Sequence, residues 1–317
     1  MIVFLSKRDY AGMGHLLAKS LNKIGVKAIS LASEASVTRL PHEQSIIYNN
    51  QKELNRYIKK ANVIVWMHST ITPIRKAIND KTKIVVFHGG SRYRRNFKKH
   101  NKAFNPIVDM SLIQTGELLG LGAKNERWLL PPVDTDFIKP LFGVNNPIII
   151  GHYPSNKINA EHDIKGSKTI NKVIKELKKS SFNFEFRYKD AYATTPRVSW
   201  KDNLKRMNDC DIYIESMNID STSKNQHDWS VTALEAAALG KIVITNFRNK
   251  ERYLKEYGEC KLLVANNRKE LSRILIELLD THYYDLEMIQ KNTREWVENY
   301  HSLDSIGYRL KDFLNKI

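Results

Sequence analysis

The sequence predicts an α/β protein built from two doubly wound units, each a parallel sheet with helices on both faces. Two observations support this prediction. Short apolar runs recur along the chain without the polar alternation of a half-exposed strand, and helical patterns separate them. A stretch rich in Pro, Gly and Asn, residues 134–147, then interrupts the series before the same alternation restarts.

The first half of the chain supplies six candidate strands. "IVFLS" (2–6) predicts a buried strand, and "HLLAKSLNKIG" (15–25) predicts a helix that ends at Gly25. The further strands are predicted at 27–32, 62–68, 83–90, 109–115 and 127–134. Because the ligands of such sheets bind beyond the carboxyl ends of the strands, the loops after each strand are the place to look for a site.

The second half repeats the pattern and ends in helices. Strands are predicted at 148–154, 182–188, 211–216 and 260–265, a helix at 167–180, and helical structure from about 268 to 317. We therefore expect an N-terminal Rossmann-like domain over 1–143 and a C-terminal one over 144–296, facing a central cleft. The last segment, 297–317, is expected to close back onto the N-terminal domain.

The charge and cysteine content narrow the possible partners and compartment. Lys and Arg number 51 against 34 Asp and Glu, a net charge of +17, so the surface should attract nucleotide phosphates, anionic lipid headgroups or nucleic acid. A solvated basic surface is the alternative. Two isolated cysteines favour a reducing compartment, and neither a leader segment nor a membrane-spanning run is evident. The expectation is a cytoplasmic protein, peripheral at most on the inner membrane face.

A glycine-rich turn follows the first strand. In "YAGMGHLLAKSL" (10–21), Gly12 and Gly14 open a helix, so the backbone can approach a ligand and the helix N-terminus can offer free N–H groups to an anion. A dinucleotide-binding fingerprint would need a third glycine where Leu17 stands, which argues against a Rossmann dehydrogenase. A turn that needs glycine only for its geometry is the alternative.

A lysine and a glycine precede the first helix of the second half. Lys165 and Gly166 in "DIKGSK" would bring a cation and bare N–H groups to where a diphosphate could sit. A cation is unfavourable near a helix N-terminus, so a bound anion would explain it better than an exposed lysine does. The loop before it carries Asn156, a further candidate for donor binding.

The stretch "HDWSVTALEAAALGKIVITN" (227–246) combines a small-residue helix, a glycine stop at Gly240 and a strand. Its Ala and Leu content predicts a buried helix, whose one carboxylate, Glu235, would need hydrogen-bond donors such as the two hydroxyls of a ribose. If Thr232 begins the helix, Glu235 instead completes a structural capping box. If Ser230 begins it, the carboxylate remains available to a ligand.

Several of these segments, taken together and in order, resemble the GT-B glycosyltransferases, specifically the retaining GT4-like group. The likeness rests on "HYPSN…IKGS", "DCDIYIES" and "VTALEAAALGKIVITN" in the C-terminal half, and on "FHGGSRYRRN" (87–96) and "WLLPPVDTDFIKP" (128–140) in the N-terminal half. The resemblance implies an N-terminal acceptor domain, a C-terminal nucleotide-sugar domain and a UDP- or GDP-linked sugar donor.

The resemblance also assigns roles to individual residues. It implies that Glu235 holds the donor ribose, that Lys165 neutralises the diphosphate, and that His88 lines the sugar pocket. Gly14 would lie at the nucleotide, and Ser230 and Thr232 at the donor sugar or phosphate. No metal or other cofactor is implied, because Lys165 and helix N-termini would stabilise the departing diphosphate.

One departure from the group concerns a carboxylate. The group often carries two glutamates seven residues apart, and the first of these positions is His227 here, with Asp228 beside it. We therefore expect Asp228 to supply the sugar-facing carboxylate if one is present.

A basic run, "SRYRRNFKKHNK" (91–102), follows His88. Its cations are Arg92, Arg94, Arg95, Lys98 and Lys99, with Lys102 at the end. Interleaved with aromatic residues, they suit an anionic acceptor, an anionic membrane surface or a nucleic-acid backbone. A solvated helix face is the alternative.

The leading prediction is a retaining, metal-independent glycosyltransferase that moves a hexose-like sugar from a nucleotide-diphosphate sugar. Its acceptor would be a surface glycan, a lipid-linked intermediate or another anionic carrier. One alternative keeps the chemistry but makes DNA with hydroxylated bases the acceptor. Another is a non-catalytic nucleotide- or nucleic-acid-binding protein on a degenerate GT-B scaffold, which the histidine at position 227 favours.

Overall fold

The computed structural model describes residues 1–35, 44–71, 78–154, 163, 165–188, 198–217 and 228–317. Within them the strands are β1 Ile2–Arg8, β2 Ala28–Glu34, β3 Ile46–Ile47, β4 Val63–Trp66, β5 Lys83–His88, β6 Met110–Ile113, β7 Glu126–Trp128, β8 Ile148–His152, β9 Phe184–Tyr188, β10 Ile212–Ser216, β11 Ile242–Thr245 and β12 Leu263–Val264. The helices are α1 Met13–Lys23, α2 Gln51–Ile58, α3 Gly90–Phe104, α4 Ser167–Leu177, α5 Trp200–Asn208, α6 Val231–Ala238, α7 Lys250–Tyr257, α8 Arg268–Leu279, α9 Tyr283–His301 and α10 Leu303–Leu314.

The chain forms two compact units, each with its own parallel sheet. Unit 1 comprises Met1–Asp134 and His301–Ile317, and unit 2 comprises Thr135–Tyr300. In the described residues, the sheet of unit 1 has seven strands in the order β3-β2-β1-β4-β5-β6-β7 and that of unit 2 has five in the order β12-β11-β10-β8-β9. All strand pairs of these two sheets are parallel. The predicted pair of parallel α/β sheets is thus confirmed.

Each sheet reverses its strand order at one point, and in sheets of this kind a ligand crevice is expected there. In unit 1 the reversal lies between β1 and β4, and in unit 2 between β8 and β10. At such a reversal the connections leave the sheet toward opposite faces, so the loops at the carboxyl ends of the two central strands diverge and open a crevice. The two places to examine are therefore the ends of β1 and β4, and the ends of β8 and β10.

The Pro-, Gly- and Asn-rich segment folds with unit 2. The buried guanidinium of Arg294 donates to the carbonyl oxygens of Thr135 and Ile138, both at 2.8 Å. Lys241 donates to Leu141 O at 2.9 Å. These bonds satisfy the backbone of a stretch that has no sheet partners, so the compact units divide at 134/135, whereas the sequence predicted 143/144. The domain roles attached to the predicted boundaries stay predictions.

The sequence predicted the buried strands but missed β3. Its two residues, Ile46 and Ile47, are exposed and form only the edge of the sheet, so they give no long apolar run. The C-terminal helical stretch is confirmed and consists of α8, α9 and α10. Of the described helices, none has the length and apolar character to cross a membrane.

Helix α10 packs on α1 inside unit 1, with Gly307 at the closest approach. A Cβ at position 307 would lie 2.5 Å from the carbonyl oxygen of Ser20 in α1. The contact involves backbone on both sides, so neither partner can relieve it by a change of rotamer. A side chain at this position would therefore push the two helices apart.

We expect Gly307→Ala to destabilise the protein by about 1–3 kcal/mol, because the forced separation of α1 and α10 outweighs the gain of about 1 kcal/mol in helix propensity. Urea unfolding measures the effect. Lys311→Ala, at an exposed position of the same helix, is the control and should change stability by less than about 0.5 kcal/mol. A Gly307→Ala protein more stable than the wild type would show that the helices accommodate the methyl group.

Candidate functional site

The crevice of unit 2 begins with a tight turn that carries Lys165. Lys165 O accepts a hydrogen bond from Met217 N at 2.9 Å, which joins the turn to the end of β10. Gly166 has φ +67°, and a Cβ there would lie 1.9 Å from Met217 O. Only glycine allows this approach. The turn is thereby pressed against β10, and the Lys165 side chain lies over Glu215.

Lys165, which is partly exposed, forms an ion pair with the buried Glu215. The ammonium donates to Glu215 Oε1 and, at 3.2 Å, to Ser230 Oγ. Ser230 Oγ donates to the same carboxylate oxygen at 2.6 Å. Burial alone would raise the pKa of Glu215, but the Lys165 charge and the hydrogen bonds from Lys165, Ser216 and Ser230 outweigh it and lower the pKa to about 2. The carboxylate is therefore ionised at neutral pH.

The other oxygen of Glu215 is also fully engaged. Oε2 accepts from Ser216 Oγ at 2.5 Å and from Thr245 Oγ1 at 3.1 Å. Glu215 lies in the "DCDIYIES" segment, but the sequence analysis assigned it no role. The signal was present, since an acid closes an otherwise apolar strand at its carboxyl end. What the sequence lacked was the pairing with a lysine fifty residues earlier.

Helix α6 begins beside this pair without a side-chain cap. Ser230 is its N-cap residue, and no hydrogen bond from the helix amides to the Ser230 hydroxyl is present, because that hydroxyl points to Glu215. Thr232 also turns toward Glu215, at 3.2 Å. An uncapped N-terminus presents amide donors and a partial positive charge, which favours an anion. Lys165 and the start of α6 thus place a cation and amide donors side by side in unit 2.

The capping-box alternative for Glu235 was wrong. Since Ser230 begins α6, Glu235 lies in the second turn and cannot reach the N-cap amide. The helix ends as predicted, at Gly240 with φ +75°, and Lys241 N donates to Ala236 O while Gly240 N donates to Ala237 O. These two bonds are the Schellman pattern.

Glu235 is buried, with 4% of its surface exposed, and it accepts a hydrogen bond from an aromatic side chain. Trp200 Nε1 donates to Glu235 Oε1 at 2.7 Å. Trp200 in turn stacks on Phe137, with ring centroids 5.6 Å apart and an interplanar angle of 20°. Sequence reasoning expected donors for this carboxylate but did not identify Trp200, which opens helix α5 thirty-five residues earlier.

The prediction that the amides at the start of α4 lack hydrogen-bond partners was wrong. Asp163 Oδ1 accepts from Ser167 N at 2.9 Å, and Oδ2 accepts from Lys168 N at 2.7 Å. The protein's own carboxylate thus occupies the place that the sequence assigned to an anionic ligand. The signal was an acid three residues before the αL glycine, Gly166.

In unit 1 a carboxylate also accepts from the first helix amides. The prediction of free amides near Gly14 was therefore wrong as well. Asp9 Oδ1 accepts from Gly14 N at 2.8 Å, and Oδ2 accepts from His15 N at 2.9 Å. Gly14 itself is closely packed, because a Cβ there would lie 2.6 Å from Ser30 Oγ. Its assigned place at a nucleotide stays a prediction.

Asp9 also contacts the end of β4. His68 Nε2 lies 3.3 Å from Asp9 Oδ1, and Ser45 Oγ donates to Oδ2 at 2.8 Å. Burial alone would raise the pKa of Asp9, but the hydrogen bonds from His68 and from the helix amides outweigh it, so the pKa lies below its usual value. His68 has φ +56° and Ser69 φ +54°, a strained conformation for two successive non-glycine residues. Sequence reasoning missed this cluster.

His88 lies at the end of β5 and is fully buried. Its Nδ1 is 2.8 Å from Ser69 Oγ, and its ring stacks on Tyr93 with centroids 4.0 Å apart. Burial lowers the pKa of His88 to about 3, so the ring is neutral at physiological pH. In the structure His88 is part of the packing of unit 1, and its contact with a sugar stays a prediction.

Asp228 holds the start of α7. Its Oδ1 accepts from Arg248 N at 2.9 Å, and its Oδ2 accepts from Asn249 Nδ2 at 2.7 Å. The residue is buried, with 4% exposed. Both oxygens therefore serve local structure, and its predicted role toward a sugar stays a prediction. Asn156 and His227 lie outside the described residues.

The basic run lies on α3, and the sequence expectation fails there for Arg94. That residue is buried and pairs with Glu117, because Tyr93 and Arg94 fall on the inner face of the helix. The other four predicted cations, Arg92, Arg95, Lys98 and Lys99, are exposed. Across the described ranges, no three His, Cys, Asp or Glu side chains group closely enough to hold a metal ion. Metal independence stays a prediction.

His152 supports the base of the unit 2 crevice. Its Nδ1 donates to Ile214 O at 2.7 Å, and its Nε2 lies 2.9 Å from Ser167 Oγ. A neutral ring with the proton on Nδ1 satisfies both contacts, since Nε2 can then accept from the hydroxyl. Burial lowers the pKa of His152 to about 4.

Comparison with known proteins gives matches at the level of structure alone. No protein-family model and no curated protein sequence matches the chain. Anabaena HepE in complex with UDP matches at 13% identity over 100% of both chains with a TM-score of 0.60. The UDP-glucose complex of HepE matches at 12% over 100% of this chain and 99% of that one, also with a TM-score of 0.60. Sucrose-phosphate synthase from Thermosynechococcus elongatus matches at 11%, over 100% and 98%, with a TM-score of 0.58.

These solved structures are GT-B glycosyltransferases, and the likeness over the whole chain confirms the predicted GT-B fold. At such low identities the likeness establishes the fold and leaves the reaction to be argued from the site. The narrower GT4-like assignment stays a prediction.

We expect stability to fall on acidification in part through His152. Its pKa in the folded chain lies below the ordinary value of 6.5, so between about pH 6.5 and 4 the unfolded chain binds more protons. The contribution is present above pH 6.5 and is lost as the pH falls toward 4, by roughly 2 kcal/mol at pH 5. Urea unfolding at pH 7 and pH 5 measures it.

The matched comparison for this prediction is His152→Gln, which can donate and accept but does not titrate. The variant should be less stable at pH 7, and the gap to the wild type should narrow at pH 5. Burial lowers the pKa of His88 and of His301 to about 3. Both histidines are common to the two proteins, so their titration cancels in the difference. A gap that stays constant between the two pH values would show that His152 is not the titrating group.

Proposed function

We propose that this protein is a nucleotide-sugar-dependent glycosyltransferase that moves a hexose-like sugar, with retention, from a UDP- or GDP-linked donor. The observation that carries the proposal is the Lys165–Glu215 pair beside the uncapped N-terminus of α6, at the strand-order reversal of unit 2. The GT-B fold adds support, because solved structures that share it contain UDP and UDP-glucose.

The donor diphosphate binds between Lys165 and the first amides of α6. The ammonium supplies a full positive charge, and the helix start supplies oriented N–H donors. In the structure the ammonium donates to Glu215. A diphosphate therefore competes with Glu215 for Lys165, while the Ser216 and Thr245 hydroxyls continue to donate to the carboxylate.

The chemistry follows from this charge arrangement. The bond between the anomeric carbon and the diphosphate oxygen breaks, and its electron pair stays on the diphosphate. The acceptor hydroxyl oxygen bonds to the anomeric carbon and passes its proton to the leaving diphosphate oxygen. Lys165 and the α6 amides stabilise the negative charge that grows on the leaving diphosphate, which is the charge-stabilising contribution that preorganised donors make in enzymes.

Glu235 binds the pentose of the donor. It lies in the second turn of the same helix whose N-terminus receives the diphosphate. A carboxylate accepts from two neighbouring hydroxyls, whereas a phosphate offers it no donor. The order along α6 is thus diphosphate at the start and pentose one turn further on, which matches the order of these groups in a nucleotide.

The acceptor is an anionic carrier such as a surface glycan or a lipid-linked intermediate. Helix α3 of unit 1 exposes Arg92, Arg95, Lys98 and Lys99, and the whole chain carries a net charge of +17. Such a cluster attracts anions over a distance of about 8–10 Å at physiological salt. The four cations accordingly concentrate the acceptor at unit 1.

We expect the double variant Lys165→Met/Glu215→Gln to lose donor turnover by about 10²–10³-fold, since the cation that stabilises the leaving group is gone. Both charges are removed together so that no buried carboxylate is left unpaired. Release of nucleoside diphosphate from a panel of UDP- and GDP-sugars measures the effect. Lys168→Met, at an exposed position three residues further on, is the matched control and should retain full turnover.

Two results would contradict the proposal. Undiminished turnover in the folded double variant would remove Lys165 from the reaction. A wild-type protein that binds nucleotide sugars but never transfers or hydrolyses them would instead favour a non-catalytic nucleotide-binding protein.

A further inference from the structure

Trp200 and Glu235 meet across two neighbouring helices of unit 2. We propose that the Trp200 indole positions the Glu235 carboxylate for the pentose hydroxyls, and that Trp200 thereby sets the preference for ribose over deoxyribose. The inference rests on the proposed function, because Glu235 can read a pentose only if the chain binds a nucleotide. Trp200 is a positioning residue in this account and acts through Glu235.

The hydrogen bond between the two residues fixes the carboxylate. Trp200 Nε1 lies 2.7 Å from Glu235 Oε1, and Glu235 is 4% exposed. The indole N–H is a neutral donor, so it restricts the rotamer of Glu235 without contributing a compensating charge. This differs from Glu215, whose partner is the Lys165 ammonium. A carboxylate has about four lone-pair positions, so it can accept from more donors than the indole alone.

The indole is itself held from two sides. Ser199 is the N-cap of α5, and its Oγ accepts from Asp202 N at 3.1 Å, which fixes the backbone at the first helical residue, Trp200. Phe137 stacks on the ring, with centroids 5.6 Å apart and an interplanar angle of 20°. Phe137 itself is 43% exposed and lies outside the hydrophobic core. Its stacking contact is therefore with the indole at the surface of unit 2.

Fixing the carboxylate should matter most for selectivity. A restrained acceptor makes a full hydrogen bond to a hydroxyl in the right place, and it cannot turn to another donor when that hydroxyl is missing. Sites built to bond a substrate hydroxyl reject the analogue that lacks it for this reason. A carboxylate that has lost the indole bond is less restrained, so it binds both sugars with more similar affinity.

The test is the ratio of dissociation constants for UDP and 2′-deoxy-UDP, measured by calorimetry, with GDP and 2′-deoxy-GDP as a second pair. The wild type is expected to favour the ribonucleotide at least tenfold. Trp200→Phe keeps an aromatic ring against Phe137 but removes the N–H, and it should reduce the ratio to about twofold or threefold. Glu235→Ala should bring the ratio to about one, and Trp200→Phe should change nothing further in that background.

Two further variants separate positioning from folding. Lys201→Ala alters the exposed neighbour on α5 and should leave the ratio at the wild-type value. Phe137→Leu removes the stacking contact without touching Glu235 and should give an intermediate ratio. A purely structural role of Trp200 would weaken both nucleotides equally and leave the ratio unchanged.

The outcomes separate a failure of the Trp200 inference from a failure of the proposed function. A wild-type ratio retained in Trp200→Phe, together with a ratio of one in Glu235→Ala, would overturn the inference and leave the proposed function standing. A wild type that binds both sugars equally would overturn the role of Glu235 and the inference with it. A wild type that binds neither nucleotide would overturn the proposed function itself.

Discussion

The ion pair between Lys165 and the buried Glu215 is the constraint on which the site depends. Burying a carboxylate at the end of a central strand is costly unless a cation and hydrogen bonds compensate it. Here the compensation comes from Lys165 and from a ring of hydroxyls that includes Ser216, Ser230 and Thr245. Because Ser230 is engaged in this way, helix α6 has no side-chain cap. The ion pair thus holds a cation beside the end of β10. It also leaves the N-terminus of the adjacent helix α6 without a side-chain cap.

In both units a carboxylate caps the helix that follows the first strand. In each, an acid precedes an αL glycine by three residues at the start of the helix that follows the first strand, Asp9 before Gly12 and Asp163 before Gly166. Each carboxylate accepts from two amides at the start of the following helix. The turns are therefore closed by protein groups and do not need a ligand to satisfy their amides. For this reason the anion site of unit 2 is to be sought at α6, where the equivalent cap is missing.

Much of the fold could be predicted from the sequence, because fully buried parallel strands leave long apolar runs such as those at 2–6 and 148–154. The edge strand at Ile46–Ile47 could not, since it is short and exposed. At the site, Glu235 was identified from local pattern, but its partner Trp200 depends on how α5 packs against α6. Glu215 was overlooked for the same reason, as its meaning comes from a lysine distant in sequence. Arg94 shows the converse error, where a basic run suggested exposure and the helix turned one of its cations inward.

The central claim is that Glu215 and a donor diphosphate compete for the same ammonium. The most direct measurement is the calorimetric affinity of UDP for Glu215→Gln relative to the wild type. The variant keeps the size of the side chain and its contacts with hydroxyls but leaves Lys165 without a competing anion. The account predicts that UDP binds the variant more tightly, by roughly tenfold or about 1.4 kcal/mol. Equal or weaker binding would contradict it, because Glu215 would then assist the diphosphate or have no part in its binding.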